Sequence, residues 1–362
     1  MSERPVLIMA GGTGGHVFPA LALARLLREH SFEVVWLGTR RGLEARIVPA
    51  EQIPIEWLSI GGLRGKGAFT LLAAPFRLAL ALWQALAVMR RHRPVVVVGL
   101  GGFVTGPGGV AAWLTRRPLL IHEQNAIAGF TNRCLAHLAR EVLEAFPGSF
   151  GTEVAARTIG NPVRADISAI APPQLRFAQR AGAIRVLVLG GSQGATRLNT
   201  VVPFALARLA GTFAFDIRHQ AGERWLDAAQ QNYANAQLRA TVTPFIEDMA
   251  NAYAWADLVI CRAGALTVSE LAAAGIGAIL VPFPAATDDH QSANADFLVR
   301  EGAAVLIADR ELSVEKLADE LRRLCAGRGK LLAMAERARL LARPRAAEEL
   351  AQSCVQLARR AA

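Results

Sequence analysis

The chain has 362 residues, 40 Lys and Arg against 30 Asp and Glu, and a formal net charge of +10. That length suits about two domains, and 52% apolar against 19% charged side chains excludes an intrinsically disordered chain. Its 32 glycines follow no strict period, which excludes collagen, and with 6% aromatic residues Ala, Leu and Val must build most of the core.

The first apolar segment, Val6–Ala10, has the β-branched, unalternating composition of a buried parallel strand. It runs into GGTGGH (11–16) and a helical pattern over Val17–Glu29. Strands follow at Val34–Leu37, Val95–Gly99 and Leu119–His122, with helices at Pro75–Arg91 and Gly129–Ala139 between and after them. This alternation implies a doubly wound α/β sheet. GNPVRADISAIAPP (160–173) is broken by prolines and has no periodicity, so the domain boundary is placed there. The pattern then restarts, with strands at Val186–Gly190, Phe213–Arg218, Leu258–Cys261 and Ala278–Val281. Helices are expected at Thr196–Leu209, Glu223–Ala236, Leu266–Ala274, His290–Arg300 and Ser313–Cys325. A last helix, Arg345–Arg360, follows Pro344 and could cross back onto the first domain. VLIMAGGTGGH (6–16) and VLVLGGSQGA (186–195) form a weak internal repeat. The reading is therefore two Rossmann-like doubly wound domains facing a cleft, where ligands bind at the carboxyl ends of the strands.

The motifs gather at those strand ends. In GGTGGH the glycines allow a tight turn, and free N–H groups at a helix start can grip an anion; the plainer alternative is a turn without a ligand. The spacing is not G-x-G-x-x-G, and the next strand ends Leu37-Gly38-Thr39-Arg40 without a ribose-binding acid, so a nicotinamide cofactor fits poorly. GGSQGA (190–195) adds the Ser192 hydroxyl and Gln193 amide and can hold a diphosphate without a metal. A third glycine cluster is GLGGFVTGPGG (99–109). HEQNAIAGFTN (122–132) crowds His122, Glu123, Asn125 and Asn132 at the sheet edge, where each taken singly could be a cap or a core residue. Glu270, in CRAGALTVSELAAAG (261–275), sits one turn inside a helix; a solvated helical Glu is the alternative there. DDHQSANA (288–295) is no D-x-D metal motif, and Asp288 or Asp289 suits an N-cap.

Taken in order, GGTGGHVFPA, GGFVTGPGG, HEQNAIAGFTN, GNPVR, GGSQGA, ALTVSELAAAG and DDHQSANA resemble the MurG family of bacterial peptidoglycan glycosyltransferases over nearly the whole chain. The resemblance implies the two-domain glycosyltransferase B architecture. Residues 1–160 would bind acceptor and membrane, residues 161–344 the UDP-sugar, and 345–362 would return to the first domain. The implied reaction is inverting transfer of N-acetylglucosamine from UDP-GlcNAc to the 4-hydroxyl of undecaprenyl-linked N-acetylmuramoyl-pentapeptide, a step of cell-wall synthesis that serves cell shape and division. His16 is the candidate base, with His122 and Glu123 as alternatives. Implied donor contacts are Thr13, Gly14, Gly15, Asn125, Arg164, Ser192, Gln193, Ile246, Ala265, Leu266, Thr267, Glu270 and Gln291. Implied acceptor-diphosphate contacts are Gly11, Gly12, Thr13, Gly14, Gly15, Gly102, Thr105 and Asn132. No cofactor or metal is required, and a divalent cation would serve only as a counter-ion. One departure is Ala285–Ala286 after Pro284, where relatives often carry His, at a peripheral sugar contact.

Charge points to the same partners. Residues 1–160 carry a net +7 and the remainder +3. No carboxylate falls between Glu56 and Glu123, where Arg64, Lys66, Arg77, Arg90, Arg91, Arg93, Arg116 and Arg117 lie. Such a surface suits phosphates, nucleic acid or an anionic membrane, but no RNA- or DNA-reading motif is visible. The apolar run 68–89 is interrupted by Pro75, Arg77 and Gln84 and is not read as a span. Its helix is expected to lay Phe76, Arg77, Leu78, Leu82, Trp83, Arg90, Arg91 and Arg93 against anionic lipid, with a buried domain helix as the alternative. Cys134, Cys261, Cys325 and Cys354 form neither a C-x-x-C pair nor a disulfide framework, which favours a reducing compartment. The MSERP start reads as no signal peptide. The expected location is the cytoplasmic face of the bacterial inner membrane, as a peripheral protein that also contacts other cell-wall synthesis proteins. Rival readings are another UDP-sugar enzyme of the same architecture, such as an epimerase, and a non-enzymatic phosphate- or nucleic-acid-binding protein.

Overall fold

Short apolar segments pair into two separate parallel sheets. The structure is a computed structural model describing residues 4–61, 74–191, 194–284 and 289–361. Arg64, Lys66, residues 68–73, Ser192, Gln193, Ala285, Ala286 and Asp288 therefore lie outside the described residues. The chain divides into Met1–Arg164 with Arg343–Ala362, and Ala165–Ala342. The first boundary falls four residues beyond the expected one because Asn161 of GNPVR donates its side-chain amide to the Gln124 carbonyl (3.0 Å), within the first unit.

The first unit holds β1 (Val6–Met9), β2 (Val34–Gly38), β3 (Ile55–Trp57), β4 (Val96–Gly99), β5 (Leu119–Glu123), β6 (Glu141–Glu144) and β7 (Arg157–Thr158). Their order is β3-β2-β1-β4-β5-β6-β7, with Val6 opposite both Val34 and Val96. Its helices are α1 (Gly14–Glu29), α2 (Glu44–Ala50), α3 (Ala74–His92), α4 (Thr105–Leu114) and α5 (Phe130–Ala136). The second unit holds α6 (Ala165–Ser168), α7 (Pro173–Ala178), β8 (Ile184–Leu189), α8 (Thr196–Ala207), β9 (Phe215–Gln220), α9 (Leu226–Asn235) and β10 (Thr241–Thr243). It continues with α10 (Met249–Trp255), β11 (Leu258–Cys261), α11 (Ala265–Ala274), β12 (Ala278–Leu280), α12 (His290–Val299), β13 (Ala304–Leu306), α13 (Val314–Cys325) and α14 (Arg328–Leu340). The second sheet runs β10-β9-β8-β11-β12-β13. In each sheet the order reverses beside the first strand of the unit, and ligands of doubly wound sheets bind at such switch points.

Period-two alternation sorts the first sheet's residues to opposite faces. Val6 and Ile8 pack with Val17, Leu21 and Leu27 of α1 on one side, while Leu7 and Met9 pack with Ala85 and Met89 of α3 on the other. The final helix, α15 (Ala346–Ala361), joins the α1 face by burying Leu350, Cys354 and Leu357. Each such leucine contributes about 1.5–3 kcal/mol relative to exposure. Arg157 on β7 anchors that helix through Glu349 (3.2 Å) and the Ser353 hydroxyl (2.6 Å).

The sequence pattern misses the peripheral strands β3, β6, β7, β10 and β13. Three of them, β3, β7 and β10, are two or three residues long and carry no fully buried residue, so they offer no apolar run. The first helix also starts at Gly14 rather than Val17, because two glycines that present no side chain to the core form its first turn.

Candidate active site

The first glycine turn is built around a carboxylate that the motif reading overlooked. Glu44, at the start of α2, is completely buried. It accepts hydrogen bonds from the backbone N–H of Gly12 (2.9 Å), the N–H of Thr39 (2.9 Å) and the Thr39 hydroxyl (2.7 Å). A Cβ on Gly11 would approach Glu44 Oε1 to 2.6 Å, which explains the glycine there. The acid missing from the end of β2 thus arrives several residues later and faces the turn. The Gly12 N–H is committed to it and is therefore not free to hold an anion. The cap of α1, Thr13, makes no side-chain cap bond, and no acidic residue follows in the first turn.

His16 lies two residues into α1, half-buried. Its Nδ1 is 2.9 Å from the Leu100 carbonyl, and the Gln124 amide nitrogen is 3.4 Å from Nε2. The tautomer that fits both places the proton on Nδ1 and leaves Nε2 as the basic nitrogen. The glycine cluster at 99–109 makes this possible. Gly101 and Gly102 have φ of +108° and +89°, and side chains there would collide with the His16 ring and the Gly11 carbonyl. Thr105 is fully buried at the start of α4, with its hydroxyl unpartnered among the described residues, so it offers no surface contact to an acceptor.

The cluster at 122–132 faces inward. Glu123 accepts from the N–H of Asn125 (2.9 Å), the Asn125 amide (3.1 Å), the N–H of Gly129 (3.2 Å) and the Asn132 amide (2.8 Å). Four donors on a buried carboxylate make Glu123 the organiser of the 124–132 loop, not a base. Asn132 is buried on it and turned away from an acceptor. His122 is buried, with Nε2 2.9 Å from the Gly160 carbonyl, and burial pushes its pKa below the usual histidine value. Both alternatives to His16 are thereby removed from the surface. Gln124, the next residue along, is the member of the motif seen to reach His16.

In the second unit, Gly191 and Gly194 take φ of +78° and +74°, and a side chain on Gly194 would strike the Ala221 carbonyl. That carbonyl accepts from the Asn199 amide (3.0 Å), whose Oδ1 lies 3.0 Å from His219 Nε2. His219 Nδ1 is 2.9 Å from the Tyr233 hydroxyl, and burial lowers the imidazole pKa to about 3. A neutral network thus braces this turn.

Glu270 is buried in α11 rather than solvated, and one carboxylate oxygen accepts from the Tyr253 hydroxyl at 3.0 Å. The helix starts at Ala265 behind Gly264, without a side-chain cap bond, so the N–H groups at Ala265, Leu266 and Thr267 form its open end. Gln291 Oε1 accepts from Ala263 N–H (3.2 Å) and Phe283 N–H (2.8 Å), tying together the loops after β11 and β12. Ile246 is half-buried in the loop after β10, and Arg164 is half-buried at the end of the first unit. No group of three His, Cys, Asp or Glu suited to a metal occurs among the described residues.

The surface of α3 divides cleanly. Ala81, Ala85, Val88 and Met89 face the core, with Leu82 packed beside them. Phe76 and Trp83 are 80% and 65% exposed, and Leu78, Leu80, Arg77 and Arg90 share that outer side. Leu82 is thus a core contact, and Arg91 ion-pairs with Glu56 (2.9 Å), which subtracts both from the expected lipid-facing set. No helix of the described residues is long and apolar enough to cross a membrane.

Two doubly wound sheets in one chain, each opened by a glycine turn, have the architecture of the glycosyltransferase B class. The glycosyltransferase family 28 N-terminal domain matches residues 6–144, and the C-terminal domain of that family matches 185–350. The chain is 58% identical, over 98% of both chains, to the UDP-N-acetylglucosamine--N-acetylmuramyl-(pentapeptide) pyrophosphoryl-undecaprenol N-acetylglucosamine transferase of Nitrosococcus oceani. It is 52% identical to the same-named transferase of Burkholderia thailandensis, over 99% of this chain and 97% of that one. Among solved structures, MurG of Acinetobacter baumannii aligns with a TM-score of 0.86 at 42% identity, covering 98% of this chain and 99% of that one. The chain belongs to glycosyltransferase family 28 and, within it, to the MurG family of N-acetylglucosamine transferases.

Proposed function

We propose that this protein transfers N-acetylglucosamine from UDP-N-acetylglucosamine to the 4-hydroxyl of undecaprenyl-diphospho-N-acetylmuramoyl-pentapeptide, with inversion. The observation that carries the reading is the 58% identity to a transferase of that name along 98% of both chains. The geometry supplies the chemistry. The acceptor oxygen attacks the anomeric carbon while the bond from that carbon to the UDP oxygen breaks. His16 Nε2 receives the hydroxyl proton as the acceptor displaces its long 3.4 Å contact with the Gln124 amide, while the Leu100 carbonyl orients the ring through Nδ1. Charge on departing UDP is met by the open N-terminus of α11 and the glycine turn 190–195. Glu270 accepts from the ribose diol, held in place by Tyr253. Ile246 meets the uracil through its backbone, and Gln291 contacts the sugar. No cofactor takes part, and a divalent cation acts only as a counter-ion to UDP.

The lipid-linked acceptor requires a protein that works at a surface. The exposed Phe76, Leu78, Leu80 and Trp83, with Arg77 and Arg90, give α3 the apolar and basic character for an anionic leaflet. The protein then acts as a peripheral enzyme on the cytoplasmic face of the inner membrane, alongside other cell-wall synthesis proteins.

Incubating the protein with UDP-N-acetylglucosamine and the lipid-linked acceptor should give disaccharide and UDP in equal amounts. Consumption of the donor without disaccharide, by hydrolysis or epimerisation, would overturn the assignment.

A further inference from the structure

Glu270 lies in the second turn of α11 at 8% exposure, and its partner Tyr253, 1% exposed, stands near the end of α10. A glutamate side chain loses several torsions on being fixed, and the tyrosine hydroxyl at 3.0 Å holds this carboxylate before any ligand arrives. The hydroxyl can do so only while α10 itself is held, and a seven-residue helix is too short to be stable alone. At its start, the Asp248 side chain accepts from the N–H of Asn251 (2.9 Å).

The other end of α10 is gripped by arginines. Arg180, just beyond α7, donates to the carbonyls of Ala254 and Ala256 (2.8 Å to the latter) and pairs with the fully buried Asp257. Arg176 on α7 donates to the Gly275 carbonyl at the end of α11 and reaches the Tyr253 carbonyl at 3.5 Å, so it touches both helices. Arg339 on α14 donates to the Ala273 carbonyl of α11. Guanidinium groups thus meet the carbonyl ends, and the negative dipole ends, of both helices. Gly275 takes φ +63°, and a Cβ there would stand 2.8 Å from Pro173, which brings α7 close against α11. Burial, with Arg180 and Arg339 nearby, lowers the Arg176 pKa to about 10, which leaves it charged at neutral pH.

We propose that Tyr253, held in place by Arg176, is a positioning residue that makes the donor site selective for a ribonucleotide over its 2′-deoxy counterpart. This rests on Glu270 accepting from the ribose diol, as in the proposed function. A carboxylate fixed in place cannot follow the one remaining hydroxyl of a deoxyribose, so the missing partner costs the full penalty of an unmade bond. A carboxylate released to turn would re-aim at the 3′-hydroxyl or at water and recover part of that loss. Selectivity therefore resides in Tyr253 and its support as well as in Glu270.

The test titrates UDP and 2′-deoxy-UDP calorimetrically into the full chain as wild type, Tyr253→Phe and Arg176→Lys. Wild type should favour UDP. Tyr253→Phe keeps the ring and loses only the hydroxyl; it should narrow that preference about tenfold, by weakening UDP while 2′-deoxy-UDP binds as before. Arg176→Lys keeps the charge but loses the planar fork that spans two carbonyls, and it should narrow the preference a few-fold. A role confined to stability would lower the urea midpoint and weaken both nucleotides alike, leaving the preference as in wild type. That result in Tyr253→Phe, or in Arg176→Lys should Tyr253→Phe not fold, overturns the inference. Equal binding of the two nucleotides by wild type would instead overturn the assignment of Glu270 to the ribose, and the inference with it.

Discussion

The two glycine turns begin alike and are braced in opposite ways. Behind the turn at 11–15 stands a buried carboxylate, Glu44, which takes the Gly12 N–H. Behind the turn at 190–195 stands a neutral network of Asn199, His219 and Tyr233. The first brace takes up a backbone donor of its own turn, while the second leaves the N–H groups at the start of α8 to other partners. On the proposed function, the second turn is therefore the one expected to take the diphosphate of the nucleotide sugar. The first is better suited to holding a base next to a polar acceptor. The two turns differ in the residues behind them and in the placement of their glycines, with positive φ at Gly12 in the first and at Gly191 and Gly194 in the second.

The sharpest test of that contrast is His16→Ala. Turnover should fall by ~10²–10⁴-fold, the usual worth of a general base, while calorimetry shows UDP-N-acetylglucosamine affinity intact. The acid limb of the pH–rate profile should vanish with it. A raised acceptor KM with unchanged kcat would instead make His16 an acceptor-binding residue.

The neutral brace predicts a pH dependence of stability. With a folded pKa of about 3, His219 stays unprotonated where an unfolded histidine takes up a proton. The stabilisation is complete above pH ~6.5 and falls by about 1.4 kcal/mol for each pH unit below it. His122 shifts in the same direction for the same reason. Urea unfolding at pH 7 and pH 5 should show a loss roughly 2 kcal/mol larger in wild type than in His219→Gln. Equal losses would remove His219 from the account.

Next in size come the two buried acids. Glu44→Ala strands the donors of Gly12 and Thr39 and should cost about 1–3 kcal/mol of stability. Turnover should drop while UDP affinity holds. Glu270→Ala should do the reverse and weaken UDP binding by about 1–3 kcal/mol, read by calorimetry. A common effect of both variants on donor affinity would dissolve the division between the turns.

The smallest effects belong to α3, where each basic residue at an anionic surface adds about 1 kcal/mol and loses it as salt rises. Charge reversal at Arg77 or Arg90 should lower flotation with anionic vesicles. Reversal at Arg91 should change less, because that guanidinium is already paired with Glu56. Identical binding to neutral and anionic vesicles would reject the contact.

Much of this architecture is legible in the chain before folding. Apolar β-branched runs such as Val95–Val98 can only be strands buried on both faces, and the turns after β1 and β8 announce themselves by their glycines. Edge strands such as β7 escape because two part-exposed residues carry no period. The polar cluster at 122–132 was visible as a cluster, but its direction was not. His122, Glu123 and Asn132 turn inward, and Gln124 reaches the candidate base. Glu44 gave no signal because nothing local marks a carboxylate whose donors sit five and 32 residues away. Periodicity and turn chemistry act within a few residues and so settle which segments are strands and which are helices. A hydrogen bond from His16 to Leu100 spans 84 residues and exists only because β1 lies beside β4 in the sheet. The assignment of each polar group to brace or to chemistry follows from that pairing of strands.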